Sequence, residues 1–159
     1  MAAKKNTKTK YVIIGNSTAA IGCVEGIRKV DKNGEIVLIS NEKHHTYGRP
    51  LISYYLLGET DDERIKYRPD SFYKDNGVTP LLGKTVTAID AKEKKVTLDD
   101  GWVIEYDKLL NATGSSPFVP PVKGMDTVEK QFTFMTLDSA IALGNAVSKE
   151  SDVLIIGAG

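Results

Sequence analysis

Tyr11-Val-Ile-Ile-Gly15-Asn-Ser17-Thr-Ala-Ala20 is the stretch that decides the fold of this chain. The apolar run that opens it predicts a strand buried on both faces, as in a parallel sheet. Gly15 predicts a tight turn, and Ser17 predicts the start of a helix that runs to about Val30. A second apolar run, Ile36–Ile39, predicts a parallel strand. Together these elements predict one right-handed βαβ unit.

The helix has apolar residues at three- and four-residue steps, and these are predicted to share its buried face: Ala20, Cys23, Ile27 and Val30. Gly22 and Gly26 each lower helix propensity by about 1 kcal/mol, so their spacing predicts a close approach to another backbone. Cys23 is expected to be a core residue rather than a nucleophile.

The rest of the chain adds short helices and a meander. Helices are predicted at Leu51–Leu57, ending at Gly58, between Pro69 and Asn76-Gly77, and at Leu137–Val147. From Val78 the apolar period becomes two, which predicts antiparallel strands at Val86–Asp90, Lys95–Leu98 and Trp102–Tyr106. The predicted fold class is therefore α/β, a parallel sheet with helices plus an antiparallel β-meander.

Length, composition and charge exclude several classes. A chain of 159 residues is too short for two domains of ordinary size. Its 21 basic and 21 acidic residues argue against a dedicated nucleic-acid surface, which needs a basic excess. No apolar run approaches the roughly 20 residues that span a bilayer, so no membrane partner is expected. A single cysteine excludes an internal disulfide, and the cytoplasm is the expected location.

The first loop has the chemistry of an anion site. A helix N-terminus offers unpaired amides and a positive dipole end, which stabilise a pyrophosphate where side chains are small. Gly15 would make the turn, Ser17 would sit where backbone meets phosphate, and Ala20 would pack the helix on the sheet. Taken alone, the spacing is equally compatible with an ordinary βα turn. Glu42, just past the second strand, is placed to accept hydrogen bonds from ribose hydroxyls.

Three segments carry a family resemblance. Glu42-Lys-His-His-Thr-Tyr47-Gly-Arg49-Pro50-Leu-Ile-Ser53 resembles the E-x-x-x-x-Y-x-R-P-x-x-S segment of FAD-dependent pyridine nucleotide-disulfide oxidoreductases. Tyr106-Asp-Lys-Leu-Leu-Asn-Ala112-Thr113-Gly114-Ser115 is similar to their Y-D-x-L-x-x-A-T-G-S element, and Val153–Gly159 to the opening of their NAD(P)H-binding domain. The resemblance is nearest to NADH:rubredoxin and ferredoxin reductases and to the flavin-binding part of NADH-dependent nitrite reductases.

The resemblance implies a Rossmann-like FAD-binding domain with these cofactor-binding residues: Gly15, Ser17, Ala19, Ala20, Glu42, Arg49, Pro50, Val86, Ala112, Thr113 and Gly114. The first four would cradle the FAD pyrophosphate, and Glu42 would meet the adenosine ribose. Arg49 would meet phosphate or the flavin side, and Pro50 would start the helix beneath it. Val86 would give a backbone contact to adenine, and the last three would bring the backbone against the dinucleotide.

Some positions depart from the family pattern. Tyr54 stands where many members have a lysine near the flavin. His44-His45-Thr46 occupies the stretch in which thiol-dependent relatives carry a redox cysteine, so thiol-based catalysis is not expected. The two histidines lack nearby ligand partners, so we expect solvent exposure and no metal. Asn111 puts an amide in a predicted buried strand and must find a partner. No residue is assigned as a catalytic acid or base.

The expected function is hydride transfer from NAD(P)H to FAD, followed by electron transfer to an acceptor protein or small molecule, such as rubredoxin, ferredoxin or a nitrite reductase centre. Two alternatives stay open. One is a non-catalytic flavin- or nucleotide-binding module. The other is a single-cofactor NAD-dependent dehydrogenase, against which Arg49-Pro50 and Ala112-Thr113-Gly114 argue. The terminal acceptor, the choice of NADH or NADPH, and a homo-oligomer are left open.

The predicted organisation has four parts: a disordered basic tail (1–10), an FAD-binding domain (11–118), a linker and helix (119–150), and the start of a truncated NAD(P)H-binding domain (151–159). The strand–glycine motif that opens a nucleotide-binding unit occurs twice, which indicates a protein that binds two nucleotides, and this chain would bind the first. We therefore expect the fragment to retain flavin weakly or not at all, and Val153–Gly157 to be an unpaired strand prone to aggregation.

Overall fold

A computed structural model of the protein describes residues 8–157. Its helices and strands are β1 (Lys10–Ile14), α1 (Thr18–Val30), β2 (Glu35–Ser40), α2 (Ile52–Leu56), α3 (Phe72–Asp75), β3 (Val78–Leu82), β4 (Val86–Asp90), β5 (Lys95–Leu98), β6 (Val103–Glu105), β7 (Lys108–Asn111) and α4 (Leu137–Ala146). Short 3-10 helices lie at Arg49–Leu51 and Met125–Thr127. Residues 1–7 of the predicted tail and the last two residues of the second glycine motif lie outside the described range.

Two sheets make up the β structure. Four parallel strands pair in the order β3-β2-β1-β7, and β4, β5 and β6 form an antiparallel sheet. Helix α1 connects β1 to its parallel neighbour β2, as the sequence predicts. The expected fold class, a parallel sheet with helices plus an antiparallel meander, is confirmed.

Strand β3 differs from the expectation. The period of two that starts at Val78 suggests the beginning of the meander, but Val78–Leu82 pairs parallel to β2 at the edge of the main sheet. An edge strand tolerates Pro80, which has no N–H to donate to a ladder. Because β3 is only partly buried, its pattern resembles that of an antiparallel strand.

The parallel sheet has a core on each face. On one face, α1 and α3 pack around Ile13, Ile36 and Leu38. On the other face, Val12, Ile14, Val37 and Ile39 of β1 and β2 pack against Val96, Leu98 and Ile104 of the antiparallel sheet. Strands β1 and β2 are therefore covered on both sides, which explains their continuous apolar sequence.

The buried face of α1 is centred differently from the predicted one. Ala20, Ile21 and Val24 are its buried residues, whereas Val30 is 86% exposed. Because the buried face of α1 includes Ile21 and Val24, its centre is rotated relative to the predicted face, and Val30 points away from the sheet. The expected close approach at Gly22 and Gly26 is also wrong, since a Cβ added at either position would meet nothing within 4 Å in the described chain.

The chain folds into two compact units, and each is described by itself. The first comprises the residues up to Gly48 with Lys66–Gly114, and it holds both sheets with α1 and α3. The second comprises Arg49–Ile65 and the residues from Ser115 onward, where α2 packs against α4.

In the second unit the predicted helices are confirmed. Gly58 ends the α2 region with a φ of +75°, and a capping box between Thr136 and Ser139 opens α4. The expected strand at Val153–Gly157 is exposed and has no regular secondary structure in the described chain, because a strand requires a partner. Within residues 8–157, no helix is long and apolar enough to cross a membrane.

Candidate functional site

The turn between β1 and α1 is shaped by close backbone contact. Gly15 has a φ of +120°, and its amide donates to the carbonyl of Ile39 at 2.7 Å. A Cβ at this position would lie 2.2 Å from the carbonyl oxygen of Ala112, whose own amide donates to Ile14. Only glycine fits such a turn. The structure thus brings together Gly15 and Ala112, two residues that the resemblance places around one dinucleotide.

The N-terminus of α1 carries amides that the helix itself does not use. Ser17 is its N-cap, in an extended conformation and without a side-chain cap hydrogen bond, and the first helical bond runs from the Ile21 amide to the Ser17 carbonyl. The amides of Thr18, Ala19 and Ala20 precede any helical acceptor. The first turn of α1 contains no acidic residue. This end of the helix is therefore suited to an anion.

The side chains of Ala19 and Ala20 have different environments. Ala19 is exposed beside the turn, whereas Ala20 is fully buried in the core between α1 and the sheet. The methyl group of Ala20 therefore packs the helix on the sheet, as predicted from its spacing, and only its backbone is available to a ligand.

Glu42 lies two residues beyond β2, as predicted, and several hydrogen bonds hold it. Its amide donates to Ser40 Oγ at 3.2 Å, and its carbonyl accepts from Gly83 at 3.1 Å. Its carboxylate accepts a hydrogen bond from the buried Tyr47 hydroxyl at 2.5 Å. The contact with Tyr47 was missed by sequence reasoning, although both residues belong to the quoted motif.

The end of β7 is polar and exposed. Thr113 donates to Asn111 Oδ1 from its amide at 3.3 Å and from its hydroxyl at 3.0 Å, and Gly114 follows with a φ of +73°. Asn111 is exposed, so the expectation of a buried amide is wrong, and its partner is Thr113. The reason is that β7 is an edge strand of the sheet.

The predicted residues of the first unit lie at strand ends. Since β1, β2 and β7 are parallel, Gly15, Glu42 and Ala112 follow strand ends on the same edge of the sheet, where open α/β sheets bind ligands. Val86 instead is the first residue of β4 and pairs with Leu98, next to a register shift before Ala88. Its side chain is half-buried against the core between the two sheets.

The stretch His44–Thr46 is less exposed than predicted. Both histidines are half-buried, the ring centroid of His45 lies 4.7 Å from that of Tyr73, and Thr46 is completely buried. The expectation of a solvent-exposed pair is wrong because this segment packs beside α3. Cys23 is half-buried against the core, and burial raises the pKa of its thiol, in keeping with a packing role.

Arg49 and Pro50 belong to the second unit. They open the 3-10 helix that precedes α2, and the Arg49 guanidinium donates to the carbonyl of Met135 at 2.8 Å. Tyr54, which stands at the lysine position of many relatives, is half-exposed on α2.

This parallel sheet, with a glycine turn at the carboxyl edge of its central strands, defines a Rossmann-like dinucleotide-binding fold. The family model "Pyridine nucleotide-disulphide oxidoreductase" matches residues 9–159, and the chain belongs to this family. The resemblance stated from the sequence is thereby confirmed. Proteins of this family bind FAD and NAD(P)H, which agrees with the expected cofactors.

Three relatives illustrate the similarity. The chain is 36% identical to the NADH-dependent phenylglyoxylate dehydrogenase subunit epsilon of Aromatoleum evansii, over 95% of this chain and 36% of the relative. It superimposes on putidaredoxin reductase in a covalent complex with putidaredoxin (TM-score 0.78, 28% identity, 89% of this chain and 34% of that one). It also superimposes on the NADH:rubredoxin oxidoreductase of Clostridium acetobutylicum (TM-score 0.74, 25% identity, 87% of this chain and 35% of that one). The chain thus spans about a third of the length of these relatives.

Proposed function

We propose that the turn between β1 and α1 holds the diphosphate of FAD, in a protein that takes hydride from NAD(P)H and passes electrons to an acceptor. The observation that carries this proposal is the glycine turn pressed against Ala112, beside the open first turn of α1. A side chain at Gly15 would collide with the backbone of Ala112 and displace the turn that leads into the helix amides, which a diphosphate would need.

The residues present fit FAD. The amides of Ala19 and Ala20 would donate to the diphosphate, and the Glu42 carboxylate, oriented by Tyr47, would accept from a ribose hydroxyl. Val86, Ala112, Thr113 and Gly114 would supply backbone contacts, and the family resemblance assigns Arg49 and Pro50 to the phosphate or flavin side. When bound, FAD supplies the capacity to accept a hydride and to release its electrons singly. The chain's own residues bind and orient it, and none is proposed as an acid or base.

For the acceptor, we propose an electron-carrier protein. Two structural relatives are named for such partners, putidaredoxin and rubredoxin. The proposal therefore covers a rubredoxin, a ferredoxin or a nitrite reductase centre, with a small-molecule acceptor as the alternative. We also propose a cytoplasmic location, where such carriers and NAD(P)H are available.

A binding experiment tests the cofactor. We would titrate the 159-residue chain separately with FAD, FMN and NADH, and follow the backbone amide resonances by NMR, which detects weak binding. We expect FAD to shift the amides of 15–20 and Glu42, and FMN, which lacks the adenosine and diphosphate bridge, to leave them unchanged. Binding of NADH alone would favour a single-cofactor dehydrogenase, and binding of none, to this chain and to the whole protein, would contradict the proposal.

A matched pair of variants tests the phosphate contact. Asp and Asn are both good N-caps, so Ser17→Asp and Ser17→Asn should both preserve α1. The added carboxylate should repel a diphosphate and weaken FAD binding by about tenfold or more, whereas Asn should change it less than about threefold. Equal dissociation constants for the two variants would show that no phosphate approaches Ser17.

The proposed activity is tested on the whole protein. Mixing it with FAD and NADH without oxygen should bleach the flavin absorbance. A protein that binds FAD but is not bleached by NADH or NADPH would instead be a binding module.

A further inference from the structure

A buried hydrogen-bond network, here called the Tyr73 network, reaches into the glycine turn from helix α3. The Tyr73 hydroxyl donates to Asn16 Oδ1 at 2.8 Å and accepts from the Thr46 amide at 3.1 Å. The other end of the Asn16 side chain donates from Nδ2 to the His44 carbonyl at 3.2 Å. Asn16 lies between Gly15 and Ser17, so one phenol connects α3, the 44–46 segment and the turn.

Because Tyr73 and its neighbours are buried, the hydrogen-bonding groups of the network have few other partners available. Tyr73 is 7% exposed and belongs to the core beneath α1, with Phe72 at 5.8 Å and His45 at 4.7 Å between ring centroids. Thr46 is completely buried, and its carbonyl accepts from the Tyr67 amide. Within the described residues, Thr46 Oγ1 and His45 Nε2 have no hydrogen-bond partner. If a group buried here loses its hydrogen-bond partner, bulk water therefore cannot take the partner's place.

We propose that Tyr73 is a positioning residue that holds the β1–α1 turn, through Asn16, in its binding conformation before the dinucleotide arrives. The inference depends on the proposed function of that turn. A site whose amides are already fixed loses less conformational entropy when it binds its ligand. Sequence gives no sign of this role, because Asn16 and Tyr73 are 57 residues apart.

The hydroxyl, not the ring, carries the proposed effect. Tyr73→Phe keeps the apolar packing but removes the donor to Asn16 and the acceptor for Thr46. Burial raises the pKa of the Tyr73 phenol, so the hydroxyl keeps its proton at neutral pH. Tyr67→Phe is a matched control, since Tyr67 packs at the edge of the same core with its ring against the Arg68 guanidinium.

The first measurement needs no ligand. Amide hydrogen exchange of the 159-residue chain is compared between wild type, Tyr73→Phe and Tyr67→Phe. We expect Tyr73→Phe to speed exchange at the amides of Thr46 and Gly15, which are hydrogen-bonded to the Tyr73 hydroxyl and to the Ile39 carbonyl, while Val24 and Leu38 in the core keep their protection. Exchange that rises equally at all four amides would mean a loss of global stability only, and unchanged exchange at Gly15 would overturn the proposal.

The second measurement uses FAD as the probe. Tyr73→Phe and Asn16→Ala should each weaken binding by roughly three- to tenfold, the range expected for one net hydrogen bond, and Tyr67→Phe should leave it unchanged. The double variant should weaken binding by less than the two single effects combined, because both changes remove the same Tyr73–Asn16 hydrogen bond. Fully additive effects would show that Tyr73 does not act through Asn16.

The two proposals fail separately. If the whole wild-type protein binds no FAD, the proposed function is contradicted, while the exchange experiment still decides whether Tyr73 orders the turn. If FAD binds and Tyr73→Phe leaves its affinity unchanged, the function stands and the positioning role is wrong.

Discussion

The turn requires glycine at Gly15, whereas the helix that follows has room for a side chain at Gly22. Gly15 combines a φ of +120° with a Cβ position 2.2 Å from a backbone oxygen. Gly15→Ala should therefore lower the free energy of unfolding by at least roughly 2 kcal/mol, from backbone strain and the displacement of Ala112. Urea denaturation measures the change.

Gly22→Ala is the control within the same region. Gly22 is exposed in the middle of α1, where an added methyl group meets nothing within 4 Å. Alanine should raise the free energy of unfolding by up to about 1 kcal/mol through helix propensity. A Gly15→Ala protein as stable as wild type would show that the turn does not press against β7.

At the scale of elements, Arg28 joins the ends of two helices. Its guanidinium donates to the carbonyls of Asn76 and Gly77 beyond α3, and to those of Asp31 and Gly34 after α1, at 2.6 to 3.3 Å. A lysine ammonium cannot reproduce this fork. Arg28→Lys should lower the free energy of unfolding by about 1–3 kcal/mol, measured by urea denaturation.

Lys29→Ala serves as the comparison, because Lys29 is exposed on the same turn of α1. It should change the free energy of unfolding by less than about 0.5 kcal/mol. If both variants were equally stable, the four carbonyl contacts of Arg28 would contribute nothing to the joint between the helices.

Elements with a strong period were predictable from sequence. The β1–α1–β2 unit, the meander and α4 follow from apolar runs, alternation and helix signals in continuous sequence. Strand β3 is not predicted as a member of the parallel sheet, because a half-buried edge strand alternates like the antiparallel strands that follow it. The contacts of Asn16 with Tyr73 could not be predicted, since they join side chains distant in sequence and depend on the packing of α3.

At the scale of the whole molecule, several carboxylates have lowered pKa values: Glu25, Asp31, Asp61, Asp70 and Asp100. Hydrogen bonds from the amides of Asn33 and Gly34 lower the pKa of Asp31, and the Arg68 side chain lowers that of Glu25. The folded chain therefore binds fewer protons than the unfolded chain near the carboxyl pKa. This stabilisation is present above the unfolded values of about 4 and is lost as the pH falls through the folded ones.

The free energy of unfolding should accordingly be lower at pH 3 than at pH 6, as measured by urea denaturation at each pH. Asp31→Asn should reduce the difference, because it removes one of the titrating groups. Equal stability of the wild type at both pH values would contradict this assignment.

The place of β7 beside β1 has a consequence for biosynthesis. The carbonyl that confines Gly15 belongs to Ala112, which is translated long after the turn itself. In a nascent chain that has folded only the first βα unit, the glycine turn therefore lacks the Ala112 backbone that packs against it. Coenzyme capture should then begin only after β7 has left the ribosome.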